Sequence, residues 1–104
     1  MIDNVKQAEV AHNALANSDE EYGKMSAYVK MAPFYLKLLK SKKYLDSVGT
    51  IAERDAHAYS SPEYMEYVDG LDATTVQLEI LEAKRESWQR EVEIWRTISA
   101  NQRR

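Results

Sequence analysis

The sequence predicts an all-α protein, built as a long antiparallel, coiled-coil-like helical hairpin with a short helix at its corner. The 104 residues include only three glycines and two prolines, and long runs lack the alternation that is typical of strands. From Tyr67 to Ser99, key residues recur at intervals of four and three, which is the spacing of a helix that packs along another helix. The length predicts a single helical domain over residues 1–104.

The first long helix is predicted over residues 4–46. Its packing residues fall three or four apart in two stretches: Val5, Ala8, His12 and Leu15, and then Tyr22, Met25, Val29, Ala32, Leu36 and Leu39. Ser18 followed by Glu21 has the form of a capping box, so Ser18 is a weak point, although near-continuity is favoured. A kink is predicted near Pro33, because proline removes a backbone hydrogen bond and clashes with the preceding turn.

The corner helix is predicted over residues 50–59 and the last helix over residues 61–100. Thr50 and Glu53 form a capping-box pattern, and Gly49 can close the preceding helix in a left-handed conformation. Ser61 can cap the last helix, and Pro62 suits its first position. The packing face of the last helix is predicted to contain Tyr67, Leu71, Thr74, Leu78, Leu81, Arg85, Trp88, Val92, Trp95 and Ser99.

The charges favour antiparallel pairing of the two long helices. The first helix ends in a basic cluster of Lys37, Lys40, Lys42 and Lys43. The last helix begins with Glu63, Glu66, Asp69 and Asp72. Antiparallel pairing brings these opposite charges together, and such patterns select orientation and register even where each exposed pair contributes little.

The apolar residues exceed what one hairpin would cover. Those outside the packing faces include Val68, Val76, Ile80, Ile94 and Ile98 in the last helix, and Tyr28, Phe34, Leu38 and Leu45 in the first. A patch of this size predicts a homo-oligomer, with a dimer in a four-helix arrangement favoured. The predicted interface residues are Leu78, Leu81, Trp88, Val92 and Trp95.

No catalytic, metal or cofactor motif is found in the sequence. The chain lacks cysteine, and neither His12 nor His57 has a partner at a metal-ligand spacing. These features predict a protein that is not an enzyme and uses no cofactor or metal. No apolar run approaches the roughly 20 residues of a membrane span, and the N-terminus lacks a signal-peptide pattern, which predicts a cytoplasmic protein without membrane contact.

Nucleic-acid binding is a further hypothesis for this sequence. The net charge of −3 opposes a general nucleic-acid coat but permits local basic patches. The candidate contacts are Lys37, Lys40, Lys42, Lys43, Arg96, Arg103 and Arg104. For the lysines, a solvated face partly neutralised by the acidic helix is the favoured interpretation. Trp88 and Trp95 could stack on bases beside Arg85, Arg90 and Arg96, but their position in the heptad favours helix packing.

Two segments, SVGTIAERDAHAYSSPEY (47–64) and EIWRTISANQRR (93–104), resemble a family of small helical proteins encoded by phages and prophages. The family corner, G-[ST]-x-A-E-R-[ED]-A, corresponds to Gly49, Thr50, Ala52, Glu53, Arg54, Asp55 and Ala56. Its tail, [IV]-E-[IV]-W-R-[ST]-x-x-A-x-x-R, corresponds to Glu93, Ile94, Trp95, Arg96, Thr97, Ala100 and Arg103.

Genes of this family often lie beside single-strand annealing or single-strand-binding recombination genes. The resemblance therefore implies a non-enzymatic accessory or mediator protein of phage recombination, located in the host cytoplasm. It would bind a recombination protein partner, single-stranded DNA, or both. Two alternatives stay open: an oligomeric coiled-coil adaptor without nucleic-acid binding, and an inhibitor of a host nuclease or repair protein.

Overall fold

The computed structural model describes residues 4–102, which form three α-helices and no strands. The helices are α1 (Asn4–Leu45), α2 (Ile51–Ser60) and α3 (Pro62–Gln102). The predicted all-α class is therefore confirmed. The bounds differ from the predicted ones by one or two residues, which is the usual ambiguity at helix ends.

The chain divides into two compact units. The first unit combines the residues as far as Lys24 with those from Gln77 onwards, and the second unit is Met25–Val76. The first unit therefore contains the beginning of α1 and the end of α3. The second contains the rest of both long helices together with α2.

In the first unit, α1 and α3 run antiparallel. The Tyr22 hydroxyl donates a hydrogen bond to Glu82 Oε1 over 3.3 Å, and Arg85 donates one to the Leu15 carbonyl over 3.1 Å. The earlier residue of α1 therefore pairs with the later residue of α3, as antiparallel helices require.

The second unit shows the same antiparallel direction. Tyr28 stacks on Tyr67 with ring centroids 5.7 Å apart, and Lys43 Nζ lies 3.1 Å from Glu63 Oε1. The antiparallel pairing that defines the predicted helical hairpin is thus confirmed in each unit.

A single heptad register runs along α1. Buried or half-buried side chains recur at alternating steps of three and four: Ala8, Ala11, Leu15, Ser18, Tyr22, Met25, Val29, Ala32, Leu36, Leu39 and Lys43. The prediction that His12 belongs to this face is wrong, because Ala11 is buried there and His12 is exposed. A small side chain at this position allows α1 and α3 to approach closely.

The near-continuity favoured for the first helix is confirmed, because α1 continues through Ser18 and the capping-box pattern there does not begin a new helix. Ser18 Oγ donates a hydrogen bond to the Leu15 carbonyl over 3.1 Å, so the hydroxyl bonds back into the helix. The helix also continues through Pro33 without a break.

The corner before α2 has the predicted cap at Thr50 and the predicted positive φ at Gly49, although α1 already ends at Leu45 and Gly49 does not directly follow it. Gly49 has a φ of 125°, a region that side-chain-bearing residues rarely adopt. A Cβ at Gly49 would also overlap the carboxylate of Glu53. Thr50 is the N-cap of α2, and its side chain accepts a hydrogen bond from the Glu53 backbone N–H over 3.2 Å.

Ser61 joins α2 to α3. Its hydroxyl donates to the Ala58 carbonyl over 2.9 Å and accepts from the Tyr64 backbone N–H over 3.3 Å. Pro62 follows as the first residue of α3, where its missing N–H costs nothing. One buried side chain therefore ends one helix and begins the next.

Candidate interaction surfaces

The five predicted interface residues all lie in α3 of the first unit: Leu78, Leu81, Trp88, Val92 and Trp95. They share a heptad face with Arg85, which contacts α1 of the same chain. Leu78 is only 8% exposed, and the other four are half-buried. Much of this face is therefore already covered within one chain.

Arg85 forms a polar cluster within this apolar face. Its Nη1 donates to Ser18 Oγ over 2.6 Å and to the Leu15 carbonyl over 3.1 Å. Its Nη2 lies 2.7 Å from Asp19 Oδ1, and the guanidinium carbon lies 4.6 Å from the ring centroid of Tyr22. The Arg85 side chain is 15% exposed, so these partners replace most of its hydration. This set of contacts is called the Arg85 cluster below.

The Arg85 cluster sets the alignment of α1 and α3 in the first unit. A guanidinium on a packing face must find acceptors nearby, and shifting either helix by one turn would remove them. The sequence placed Arg85 on this face. It did not identify Ser18 as its partner, because Ser18 matched a local capping pattern and its partner is 67 residues away.

A surface groove of about 400 Å³ lies beside Trp95 in the first unit. Val5, Ala8 and Val92 contribute apolar surface, and Arg96 contributes charge. Of the three C-terminal arginines predicted to contact nucleic acid, Arg96 is therefore at an open surface. Arg103 and Arg104 lie outside the described residues.

Two of the four predicted lysines are engaged by acidic or aromatic groups. Lys40 Nζ lies 4.4 Å from the centroid of the Tyr59 ring and 3.9 Å from Asp55 Oδ1. The interaction with Tyr59, followed by that with Asp55, raises the pKa of Lys40. Lys43 pairs with Glu63. The pKa of Glu63 lies below its usual value, first because the carboxylate accepts a hydrogen bond from the Glu63 backbone N–H and second because it pairs with Lys43.

Lys37 and Lys42 differ from these two, because both are exposed. The four lysines are therefore not one uniform phosphate-binding patch. Two are committed to contacts within the second unit, and two face solvent.

A second heptad spacing on α1 of the second unit connects mostly apolar residues, all of them exposed except the half-buried Tyr28. Steps of three and four connect Tyr28, Met31, Tyr35, Leu38, Lys42 and Leu45, a set called the second stripe below. Met31, Leu38 and Leu45 are 45%, 53% and 79% exposed. Tyr28, Leu38 and Leu45 were predicted from the sequence to lie off the packing face, whereas Met31, Tyr35 and the regular spacing were not predicted.

Within residues 4–102, no cluster of three or more histidine, cysteine or acidic side chains is placed to hold a metal ion. No helix in this part of the chain combines the length and apolar character that crossing a membrane requires. No protein-family model, curated protein or solved structure matches the chain.

Tyr67 provides a test of packing in the second unit. Its ring contacts those of Tyr28 and Tyr35, and its buried hydroxyl has no hydrogen-bond partner among the described residues. We expect Tyr67→Phe to leave the free energy of unfolding at neutral pH unchanged or to raise it by up to about 1 kcal/mol, because an unpaired buried hydroxyl is removed. Urea unfolding at fixed protein concentration measures this effect.

Tyr67→Phe should also reduce the loss of stability at alkaline pH. Burial, and after it the neighbouring Tyr28, raises the pKa of Tyr67. The unfolded chain therefore loses this proton first, at about pH 10, and stability falls as the pH rises through the folded-state pKa. Tyr67→Phe should show less of this loss than the half-exposed control Tyr35→Phe. A neutral-pH loss of more than about 1 kcal/mol would mean that the hydroxyl has a partner.

Proposed function

We propose that this chain is a non-enzymatic helical interaction module that acts as a homo-oligomer. The second stripe carries this proposal. In the second unit, α1 has two faces with heptad spacing. Tyr67 of α3 contacts Tyr28 and Tyr35 of the second stripe. Met31, Leu38 and Leu45 of the same stripe stay exposed. The spacing of Met31, Leu38 and Leu45 is that of a helix prepared to pack on a further helix.

The size of the exposed apolar surface supports the same proposal. Phe34 lies beside the second stripe and is more than half exposed. Soluble monomers rarely leave several large apolar side chains together in water. Pairing the long helices of two chains into a four-helix arrangement would cover them, and a two-fold dimer is the commonest closed assembly.

Sedimentation equilibrium of the unmodified chain tests this function. We expect a mass of about 24 kDa, twice the chain mass of 12.0 kDa. The melting temperature should also rise with protein concentration, because association stabilises the folded chain by mass action. A mass of 12.0 kDa at every concentration, with a constant melting temperature, would contradict the proposal.

A second candidate function is that of a phage recombination mediator that binds single-stranded DNA. One observation favours it: exposed Lys37 and Lys42 lie on the same helix as the half-exposed rings of Phe34 and Tyr35. Cations that follow phosphates and aromatic rings that stack on bases are the usual elements of such a site. The phage-family resemblance of the corner and tail supports this candidate. The charge-reversal experiment below separates it from self-association.

A further inference from the structure

The free charges of the second unit are segregated between its two long helices. Between Met25 and Leu45, α1 carries five lysines and no acidic residue. From Pro62 to Val76, α3 carries four acidic residues and no lysine or arginine. Within the chain, Lys40 and Lys43 are engaged by Asp55 and Glu63. The remaining charges are Lys30, Lys37 and Lys42 on α1 and Glu66, Asp69 and Asp72 on α3, all exposed.

An exposed line of residues on α3 matches the second stripe in spacing. Met65, Asp69, Asp72 and Val76 follow one another at steps of four, three and four, a set called the acidic stripe below. Met65 and Val76 are 55% and 57% exposed, so the line has apolar ends and an acidic centre. Helical spacing places all four side chains on one side of α3.

On α1, basic residues accompany the apolar ones. Lys30 directly precedes Met31, and Lys37 directly precedes Leu38. Neither lysine forms a salt bridge with a described residue. Lys42 lies within the second stripe, and Lys30 and Lys37 add positive charge about 100° around the helix from Met31 and Leu38. The second stripe therefore combines aliphatic side chains with positive charge on the same helix, and the acidic stripe presents the complementary charge.

We propose that the second stripe of one chain packs on the acidic stripe of a second copy, and that the second stripe of that copy packs on the acidic stripe of the first. This proposal rests on the proposed function of self-association. Pairing α1 with α1 would bring lysines together, and pairing α3 with α3 would bring carboxylates together. Only α1 against α3 of the second copy joins opposite charges. In a two-fold dimer this contact occurs twice, so both stripes of both chains are covered.

The observations favour a second copy over single-stranded DNA as the occupant. Met31, Leu38 and Leu45 repeat every seven residues, a spacing that suits a helix and has no counterpart in base stacking. In addition, Glu66, Asp69 and Asp72 belong to the same unit and repel a polyanion.

Charge exchange between the two stripes tests the proposal. One variant carries Lys30→Glu with Lys37→Glu, and the other carries Asp69→Lys with Asp72→Lys. In a dimer of either variant alone, charges of the same sign face each other at both contacts between α1 and α3. We expect its dissociation constant, measured by sedimentation equilibrium, to rise about tenfold or more. Mixing the two variants should restore association, because both contacts of the mixed dimer are again complementary.

The matched control reverses two exposed basic residues of the first unit, Lys84→Glu with Arg90→Glu. It changes the net charge as much as the lysine variant does and should leave the dissociation constant unchanged. Circular dichroism of each variant verifies that the helices form. Because the four exchanged residues are exposed and make no salt bridges with described residues, the fold of each chain should persist.

The outcomes separate the two proposals. If the unmodified chain is monomeric, the proposed function fails and the stripe contact fails with it. If it is oligomeric but unaffected by either charge reversal, or if mixing restores nothing, self-association stands and the stripe contact is overturned. Fluorescence anisotropy with single-stranded DNA at about 50 mM salt tests the competitor. Lost DNA affinity in the lysine variant, with association unchanged, would assign the stripe to nucleic acid instead.

Discussion

Leu78→Ala should lower the free energy of unfolding by about 2–5 kcal/mol, the usual cost of truncating a buried leucine. Leu78 is the one large apolar side chain in the buried core of the described residues; the others are Ala8, Ala11, Ala32 and Ala58. Small alanines allow the helices to approach closely but bury little apolar area each. Urea unfolding at fixed protein concentration measures the loss.

Ile94→Ala is the matched control for Leu78→Ala. Ile94 lies on α3 of the same unit but is 58% exposed. Its truncation should change the free energy of unfolding by no more than about 0.5 kcal/mol. Equal losses in the two variants would mean that Leu78 is not packed against α1 in solution.

Arg85→Ala should destabilise the first unit by about 1.5–3 kcal/mol, the range for hydrogen bonds to charged groups. The bonds to Ser18 and to the Leu15 carbonyl should account for most of this loss, because both partners lie within the helix contact. The ion pair with Asp19 should contribute less, because the Asp19 side chain is 64% exposed and therefore screened by water.

Two controls separate these contributions. Arg90 is an exposed arginine on the same helix, and Arg90→Ala should change stability by no more than about 0.5 kcal/mol. Asp19→Asn tests the ion pair and should cost no more than about 1 kcal/mol. If Arg85→Ala were as mild as Arg90→Ala, the cluster would not set the alignment of the two helices.

Local features of the sequence were sufficient to predict the helices and their ends. Thr50 and Ser61 act through hydrogen bonds to residues three positions away, and Gly49 acts through its own positive φ, so local sequence was enough to predict these roles. The packing face of α3 was equally readable, since all its predicted residues from Tyr67 to Ser99 are buried or half-buried. Heptad spacing is a property of one helix and needs no knowledge of the partner.

Local patterns did not identify the residues that meet across the contact between the helices. Ser18 and Glu21 have a capping pattern, but α1 continues through Ser18, whose hydroxyl donates to the Leu15 carbonyl and accepts from Arg85 of α3. His12 and Ala11 are neighbours in sequence, and either could have continued the apolar spacing. The close approach of α3 favours the smaller side chain.

Some features of the candidate surfaces follow from the sequence, and others depend on tertiary packing. The sequence by itself determined the class, the three helices, the positive φ at Gly49 and the opposite charges of the two long helices in the second unit, because these follow from short-range bonding and from composition. Only the tertiary structure decided that Lys40 and Lys43 find partners within the chain whereas Lys37 and Lys42 face solvent. These four lysines are alike in type and close in sequence. What distinguishes them is their direction around α1 relative to α2 and α3, and packing sets that direction.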